Sequence, residues 1–537
     1  MKTGEIMPES INRVIGKDAQ RNNIFAAKMI SEVVKTTLGP RGMDKMLVSD
    51  NGDIIVTNDG VTILTEMQIE HPAAKMMVEI AKTQESEVGD GTTTSVMLAG
   101  KLLENAERLL DQKIHPTIIS KGYRIASEKV QEILKDISIE ITSDNENVLR
   151  QIAMTAMTGK GAEDSKETFA DILVKCVKGV QEDGKIDMNN IKIEKVIGEK
   201  IQDTELIPGV VLLKERISKD MPPKISDARV LLIDFPLELK NPEIETKISI
   251  SSHSELQNLI NEEENAIKEM VEKISSTGCN ALFCQKGIDD FAKYLLAKKG
   301  IYACRRVGRN DLEKISKATN SRIISNLSEI ASKDLGYAKK IEEVKQTDDY
   351  VTYIKEEENS KIMTILIRGG TVHVVDEIER AIMDGLGDIS SAINTKLVVC
   401  GGGAIEAELS KRLKEFSSKI TGRERLAVYE FANALEFIPT TLAENAGLDP
   451  IDILTEIKRR HDTGEINAGL NLFTNKVENM LEAKIIEPYK IKSQAISSAT
   501  DVATMILRID DIILSKPQNK GKMNDTGNMP DFMSSLN

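Results

Sequence analysis

Six consecutive residues, Gly89-Asp90-Gly91-Thr92-Thr93-Thr94, carry the sharpest chemical signal in the chain, immediately before an apolar helical stripe from Ser95 to Leu110. Glycines let backbone N–H groups approach an anion, a helix N-terminus adds partial positive charge, and three hydroxyls can donate to phosphate oxygens. Asp90, between two of those glycines, is placed to hold Mg²⁺, which takes one or two carboxylates beside phosphate oxygens. An ordinary Asp/Thr helix cap uses the same residue types, so the hexapeptide alone leaves both readings open.

Three other turns are weaker. Leu38-Gly39-Pro40-Arg41-Gly42 stands at a helix end, where carbonyls rather than N–H groups point outward. Gly401-Gly402-Gly403 lies between a strand and a helix, as a nucleotide-contacting loop does, but lacks the GxGxxG fingerprint, which disfavours a dinucleotide fold. Gly179 to Lys185 has Walker A glycine and lysine spacing, yet Ile186 replaces the hydroxyl residue, and Glu182 and Asp183 would repel phosphates; it reads as a surface turn. Five scattered cysteines with no CxxC pair read as reduced core thiols, and five dispersed histidines with no HExxH make a His-based metal site improbable.

The elements that must position these turns follow from periodicity. Asp18 is expected to cap a helix with Ile24, Ala27, Ile30, Val34 and Leu38 on its apolar face, ended by Gly39-Pro40. Asn51-Gly52 marks a hairpin between Lys45–Asp50 and Asp53–Thr57. Another helix starts after Pro116. From about Ala228 to Gly370, apolar strands (Val230–Asp234, Asn280–Gln285, Ile301–Arg305, Arg322–Ser325, Met363–Arg368) alternate with helical stretches, an α/β pattern. Leu237 to Ile274 interrupts it with more apolar surface than a loop needs, as a partner-contacting arm or an extra packed helix. Beyond a short strand at Lys396–Cys400 the chain is helical again: a stripe from Ile405 to Ile420, a long helix around Leu426 to Leu442, and one with Asp449 as cap and Pro450 as its first residue. A helical, then α/β, then helical order suggests an insertion inside a helical domain.

The 537 residues are enough for three or four domains. A net charge of −14 argues against a general nucleic-acid surface. No uninterrupted apolar run reaches membrane-spanning length, and MKTGEIMPES lacks signal-peptide regions, so a cytoplasmic location is expected. Aromatics are scarce and Trp is absent, which favours helix-rich packing built on Ile, Leu, Val, Ala and 21 Met. Residues 516–537 read as a disordered polar tail.

Several blocks, in order along the chain, resemble group II chaperonins: Thr37-Leu-Gly-Pro-Arg-Gly-Met-Asp-Lys45, Thr57-Asn-Asp-Gly60, His71-Pro-Ala-Ala-Lys75, Val88-Gly-Asp-Gly-Thr-Thr-Thr94, Thr158-Gly-Lys-Gly161, Phe283-Cys-Gln-Lys-Gly-Ile-Asp289, Gly401-Gly-Gly403, Leu442-Ala-Glu-Asn-Ala-Gly-Leu-Asp449 and Arg508-Ile-Asp-Asp511. The resemblance implies a multidomain α plus α/β chaperonin fold. A mostly helical equatorial ATP domain would be split between 1–145 and 401–515, and an intermediate domain between 146–214 and 367–400. An apical client-binding domain would span 215–366, with a helical lid protrusion at about 237–274. It also implies an ATPase that encloses unfolded protein clients in a double ring of identical or homologous subunits, about eight or nine per ring.

Carried over by motif, Asp90 would bind Mg²⁺, while Leu38, Gly39, Pro40, Gly60, Gly91, Thr92, Thr93 and Thr94 would surround the phosphates of ATP. Gly402 and Glu487 would meet the nucleoside, Asp59 and Asp384 would position the attacking water, and Lys160 would sense the γ-phosphate, its bland alternative being a solvated loop lysine. Around Asp384 the family usually reads His-Asp-Ala-Leu, whereas Met383-Asp384-Gly385-Leu386 stands here, which questions local helix rigidity. Pro208 replaces a common lysine, and the tail lacks Gly-Gly-Met repeats. A non-catalytic subunit of a mixed ring is opposed by the presence of Asp59, Asp90 and Asp384; a metabolic kinase, by the lack of Walker A and kinase signatures.

Overall fold

The computed structural model describes residues 11–515 except 50, 51, 53, 143, 144, 162, 183, 239–252, 347, 348 and 357–359. The expected polar tail and residues 239–252 of the expected protrusion therefore lie outside the described residues. Helices dominate both ends of the chain and strands its middle.

Segments distant in sequence share cores. One core joins Ile24–Ile137 to Val399–Leu507. A second joins Leu149–Ile191 to Met363–Val398, with Ile486. Two more cover the faces of the central sheet: Val230, Leu232, Ala281 and Phe283 point into one, and Leu231, Ile233, Leu282 and Cys284 into the other, as strand alternation requires. The first and last described segments, Ile11–Ile15 and Asp511–Ser515, pair antiparallel.

At the centre of the first core is the helix Thr92–Asp111, packed against Lys17–Lys35, Pro72–Val88, Glu424–Leu435 and Tyr489–Leu507. Val96, Leu98, Leu102 and Leu103 are fully buried, and each such side chain contributes about 1.5–3 kcal/mol. Packing, rather than helix propensity, thus fixes where Asp90 sits. At Gly100 a Cβ would come within 2.3 Å of the Ser31 Cβ, so the helix must cross Lys17–Lys35 at a residue without a side chain.

The sheet runs Tyr302–Cys304, Ala281–Cys284, Lys224–Ile233, Gly336–Gln346, Asp349–Lys355, Glu205–Leu212, Met363–Gly369, Ile191–Ile197, with Ile323–Ile324 also against Lys224–Ile233. It is parallel at both ends and antiparallel between them. Four of these strands are not apparent from sequence: Ile191–Ile197, Glu205–Leu212, Gly336–Gln346 and Asp349–Lys355. Charges interrupt two of them at alternate positions, Lys192 and Glu194 in the first and Lys340 and Glu342 in the third. Lys192, for example, is buried and paired with Asp311 at 2.6 Å and Glu194 at 2.8 Å.

Several expectations are corrected. Gly16, at φ 69°, precedes the first helix as its cap, and Asp18 lies in the first turn. The helix expected from Ser95 starts at Thr92, so all three threonines are helical. The long helix around Leu426–Leu442 is two, Glu424–Leu435 and Phe437–Asn445, joined at Glu436. The helix His253–Ser276 buries Ile267, Val271 and Ile274 in the sheet's second core, so this part of the awkward stretch is a packed helix. As expected, the Walker-like stretch is a turn and not a phosphate loop: Gly184 lies between the paired residues Gln181–Glu182 and Lys185–Ile186. All five cysteines are buried and free; burial pushes the Cys176 thiol up to about 12.

At the end of Lys17–Lys35, the carbonyls left without helical partners are met from far along the chain: Asn445 Nδ2 donates to Lys35 O at 3.1 Å and to Leu38 O at 2.9 Å. This clamp holds the Leu38-Gly39-Pro40 turn in place. Asn445→Ala should lower stability by about 1–3 kcal/mol, read as a lower urea midpoint; an unchanged midpoint would show that the carbonyls find other partners.

Candidate functional site

A cavity of about 700 Å³ is lined by Leu38, Gly39, Pro40, Asp59, Gly60, Asp90, Gly91, Thr92, Thr93, Thr94, Lys160, Gly402 and Glu487. Asp384 joins them through a direct ion pair with Lys160. The volume suits a small-molecule ligand. The candidate residues read from sequence thus converge on one place, although they come from both ends and the middle of the chain.

The floor is the Gly89–Gly91 turn. Gly89 (φ 95°) ends the helix Pro72–Val88 and Gly91 (φ 81°) caps Thr92–Asp111, both in the left-handed region that only glycine adopts cheaply. A Cβ on Gly91 would also strike Ile491 Cγ2 at 2.6 Å. Buried Gln84 pins the turn from below, its Nε2 donating to Asp90 O at 2.8 Å. The helix N-terminus and its hydroxyls therefore face the cavity with the Asp90 carboxylate beside them, a donor set that fits phosphate with a hard cation.

Asp59 caps the helix Gly60–Glu66. Its Oδ2 accepts from Thr62 N at 2.8 Å and from Thr62 Oγ1 at 2.7 Å, while Oδ1 receives only a long 3.4 Å bond from Val61 N. A Cβ on Gly60 would stand 2.7 Å from Thr93 Oγ1, so this helix start and the phosphate-type turn touch through glycine. Next to it, Asn58 Nδ2 donates to Gly159 O at 2.8 Å, tying the Lys160 turn to the same wall.

Lys160 is not a solvated loop lysine: its side chain is 18% exposed and lies between Asp384 and Asp90, 3.6 Å from the latter. Burial works against the ammonium, but the two carboxylates outweigh it and hold it above the ordinary lysine range. Burial pushes Asp384 up to about 7, with Lys160 opposing the rise and Asp90 and Asp59 adding to it. Asp384 belongs to the helix Val372–Thr395, which runs unbroken through Gly385 and Gly387. Both glycines have a packing reason: a Cβ at Gly385 would meet Leu173 Cδ1 at 2.6 Å, and one at Gly387 would meet Val88 O at 2.9 Å.

On the far wall, Gly402 (φ 63°) brings the 401–403 turn against Leu470, whose N–H donates to Gly402 O at 2.9 Å. Glu487 pairs with Lys492 at 2.8 Å, and Lys492 with Glu406, also at 2.8 Å. Burial raises Glu487 and Lys492 moderates it. At the rim, Lys166 lies 4.8 Å from the centre of the Phe473 ring. Sequence reasoning missed Asn58, Gln84, Glu406, Lys492 and cavity-lining Asp388. Only Asp388 had a signal, its i+4 spacing from Asp384.

The fold, with a helical core built from both chain ends around this glycine-threonine cradle, is that of a chaperonin. Residues 30–517 match the model of the TCP-1/cpn60 chaperonin family, and the chain belongs to that family. It is 52% identical to a thermosome subunit of Methanopyrus kandleri over 96% of this chain and 95% of the relative. It is 50% identical to a thermosome beta subunit of Methanothermobacter thermautotrophicus over 98% of both. A thermosome alpha subunit of Archaeoglobus fulgidus is 49% identical over 96% of both. Among the described residues no helix is long and apolar enough to cross a membrane.

Gly159 (φ 81°) is where the Lys160 turn rests on the phosphate-side wall, since a Cβ there would lie 2.5 Å from Pro40 Cα. Gly159→Ala should lift this contact: amide exchange around Asn58 and Gly159 accelerates while that of Thr92–Asp111 is unchanged. Equal protection in both segments would show that the contact is not a constraint.

Proposed function

We propose that the chain is a subunit of an ATP-driven chaperonin, which assembles into a double ring, binds unfolded proteins and encloses them as ATP is hydrolysed. Two supports are independent: membership of the TCP-1/cpn60 family, and a phosphate-type cradle facing an acid–base pair from another core. The single observation that carries the hydrolytic part is the meeting of Lys160 and Asp384 with Asp90. In this reading the first core is the equatorial domain (1–145 and 401–515), the second the intermediate domain (146–214 and 367–400), and the sheet the apical domain (215–366). A lid protrusion drawn from 237–274 would end before Ile267, since Ile267, Val271 and Ile274 are buried.

Gly91 and Thr92–Thr94 offer N–H and hydroxyl donors to the phosphates, with Leu38-Gly39-Pro40 and Gly60 closing the cradle around them. Asp90 holds the cation, and Mg²⁺, when bound, neutralises charge on the phosphate oxygens. Asp59, fixed by Thr62, keeps Oδ1 available to orient the attacking water, and Asp384 accepts the water's proton. A base works best with a pKa near the operating pH, and burial has moved Asp384 there. Lys160 exchanges a carboxylate for the γ-phosphate when a triphosphate arrives, so it senses occupancy. Glu487 accepts from the nucleoside hydroxyls, oriented by Lys492, and Gly402 lets the backbone approach. Phosphoryl transfer asks mainly for such positioning and charge neutralisation.

The base and the cradle stand on different cores, so hydrolysis requires their apposition. Asp384→Ala should bind ATP as before and hydrolyse it roughly 10²–10⁴-fold more slowly; unchanged single-turnover hydrolysis would remove Asp384 from the mechanism. The base must be charged, so hydrolysis falls on the acid side of its pKa. Lys160 holds that pKa down, and Lys160→Met should therefore move the acid limb of the rate profile to higher pH. A limb that stays in place would mean another group is the base. For the whole function, the assembled chain should refold a denatured client only with Mg-ATP, in a particle on the order of sixteen copies. Refolding that ignores ATP would contradict the reading.

A further inference from the structure

Asp388 has no part in the scheme above. It follows Asp384 by four residues on the helix Val372–Thr395, hence on the same face, and lines the same cavity. The residue is 2% exposed, and its Oδ1 has no hydrogen-bond partner among the described residues. Leaving a buried polar atom unpaired is costly. Such an atom at the wall of a cavity points to a partner that enters the cavity.

The surroundings say which kind of partner. The charges facing Asp388 are Asp90 first, then Lys160, Asp384 and Glu487. Lys160 is already shared by Asp384 and Asp90, and Lys492 by Glu406 and Glu487. What the place lacks is positive charge. The backbone adds a geometric reason. A Cβ on Gly387 would lie 3.3 Å from Gly89 Cα and 2.9 Å from Val88 O, so helix and loop touch at a pair of glycines. The residue after each glycine is an aspartate, and the contact holds Asp388 and Asp90 as neighbours across it. Burial, and next Asp90, push the Asp388 carboxyl well above the usual carboxylate range.

We propose that Asp388 is a second carboxylate ligand, with Asp90, for the divalent cation that accompanies the triphosphate in this cavity. The proposal rests on the nucleotide reading given above and fits the preference of Mg²⁺ for one or two carboxylates beside phosphate oxygens. It also makes the cation a bridge between the two cores, since Asp90 lies on one and Asp388 on the other.

The test uses the full chain, with ADP binding followed by calorimetry over a range of Mg²⁺ concentrations and in EDTA. Asp388→Asn keeps the shape and removes the charge; Asp388→Val removes the polar atoms, and melting curves check that both fold. In both variants the Mg²⁺ concentration for half-maximal enhancement of ADP binding should rise on the order of tenfold, with affinity in EDTA unchanged or tighter. An unchanged Mg²⁺ midpoint overturns the proposal. So does weaker binding in EDTA, which would mean that Asp388 contacts the nucleotide itself. A wild-type chain that binds no ADP at any Mg²⁺ concentration would overturn the nucleotide reading, and with it this one, whatever the variants do.

Discussion

The Lys160 ammonium is held between Asp384 and Asp90, carboxylates supplied by two different cores. A buried ion pair contributes little net stability, because desolvation consumes the attraction, yet removing one partner from such a pair is strongly destabilising. The arrangement is therefore poor as glue and well suited to exchange. On the nucleotide reading proposed above, a polyanion in the cradle would offer Lys160 a replacement for its carboxylates and so free Asp384. The relation between the cores then depends on what fills the cavity.

Exchange of this kind needs backbones close enough for short side chains to reach across, and glycine supplies the distance. Gly60 meets Thr93, Gly159 meets Pro40, and Gly387 meets Gly89, each at a spacing a Cβ would violate. Two of the three contacts join the first core to the second. Glycine inside a helix costs about 1 kcal/mol relative to alanine, and Gly385 and Gly387 both lie within one helix. The packing at the junction must offset that cost, and it does so where Lys160 meets Asp384 and Asp90.

The local devices were legible in the sequence. The Gly89–Thr94 cradle, the hairpin between Lys45–Val48 and Ile54–Thr57, and the Asp449 cap with Pro450 after it each depend on a few neighbouring residues, whose types determine the geometry. What stayed hidden depends on long-range burial. The strands Gly336–Gln346 and Asp349–Lys355 set charged residues of one against aromatic or polar residues of the other, as at Glu342–Tyr353, Glu343–Thr352 and Lys345–Tyr350, so the first does not read as an alternating apolar run. The break at Glu436 is an exception, since Pro439, which has no N–H to offer the Leu435 carbonyl four residues back, stood in the sequence. Glu406 and Lys492 carried no signal in the sequence; Lys492 is buried between Glu406 and Glu487 and pairs with both. Asp388 differs: its spacing from Asp384 was visible, but only its burial gives it meaning.

The central claim is that nucleotide occupancy sets the distance between the two cores. Spin labels at Arg124→Cys and His373→Cys, both exposed and on helices of different cores, would report it directly, since the native cysteines are buried. With a non-hydrolysable ATP analogue and Mg²⁺, the distance distribution should shift and narrow relative to the nucleotide-free chain. Identical distributions with and without nucleotide would contradict the account.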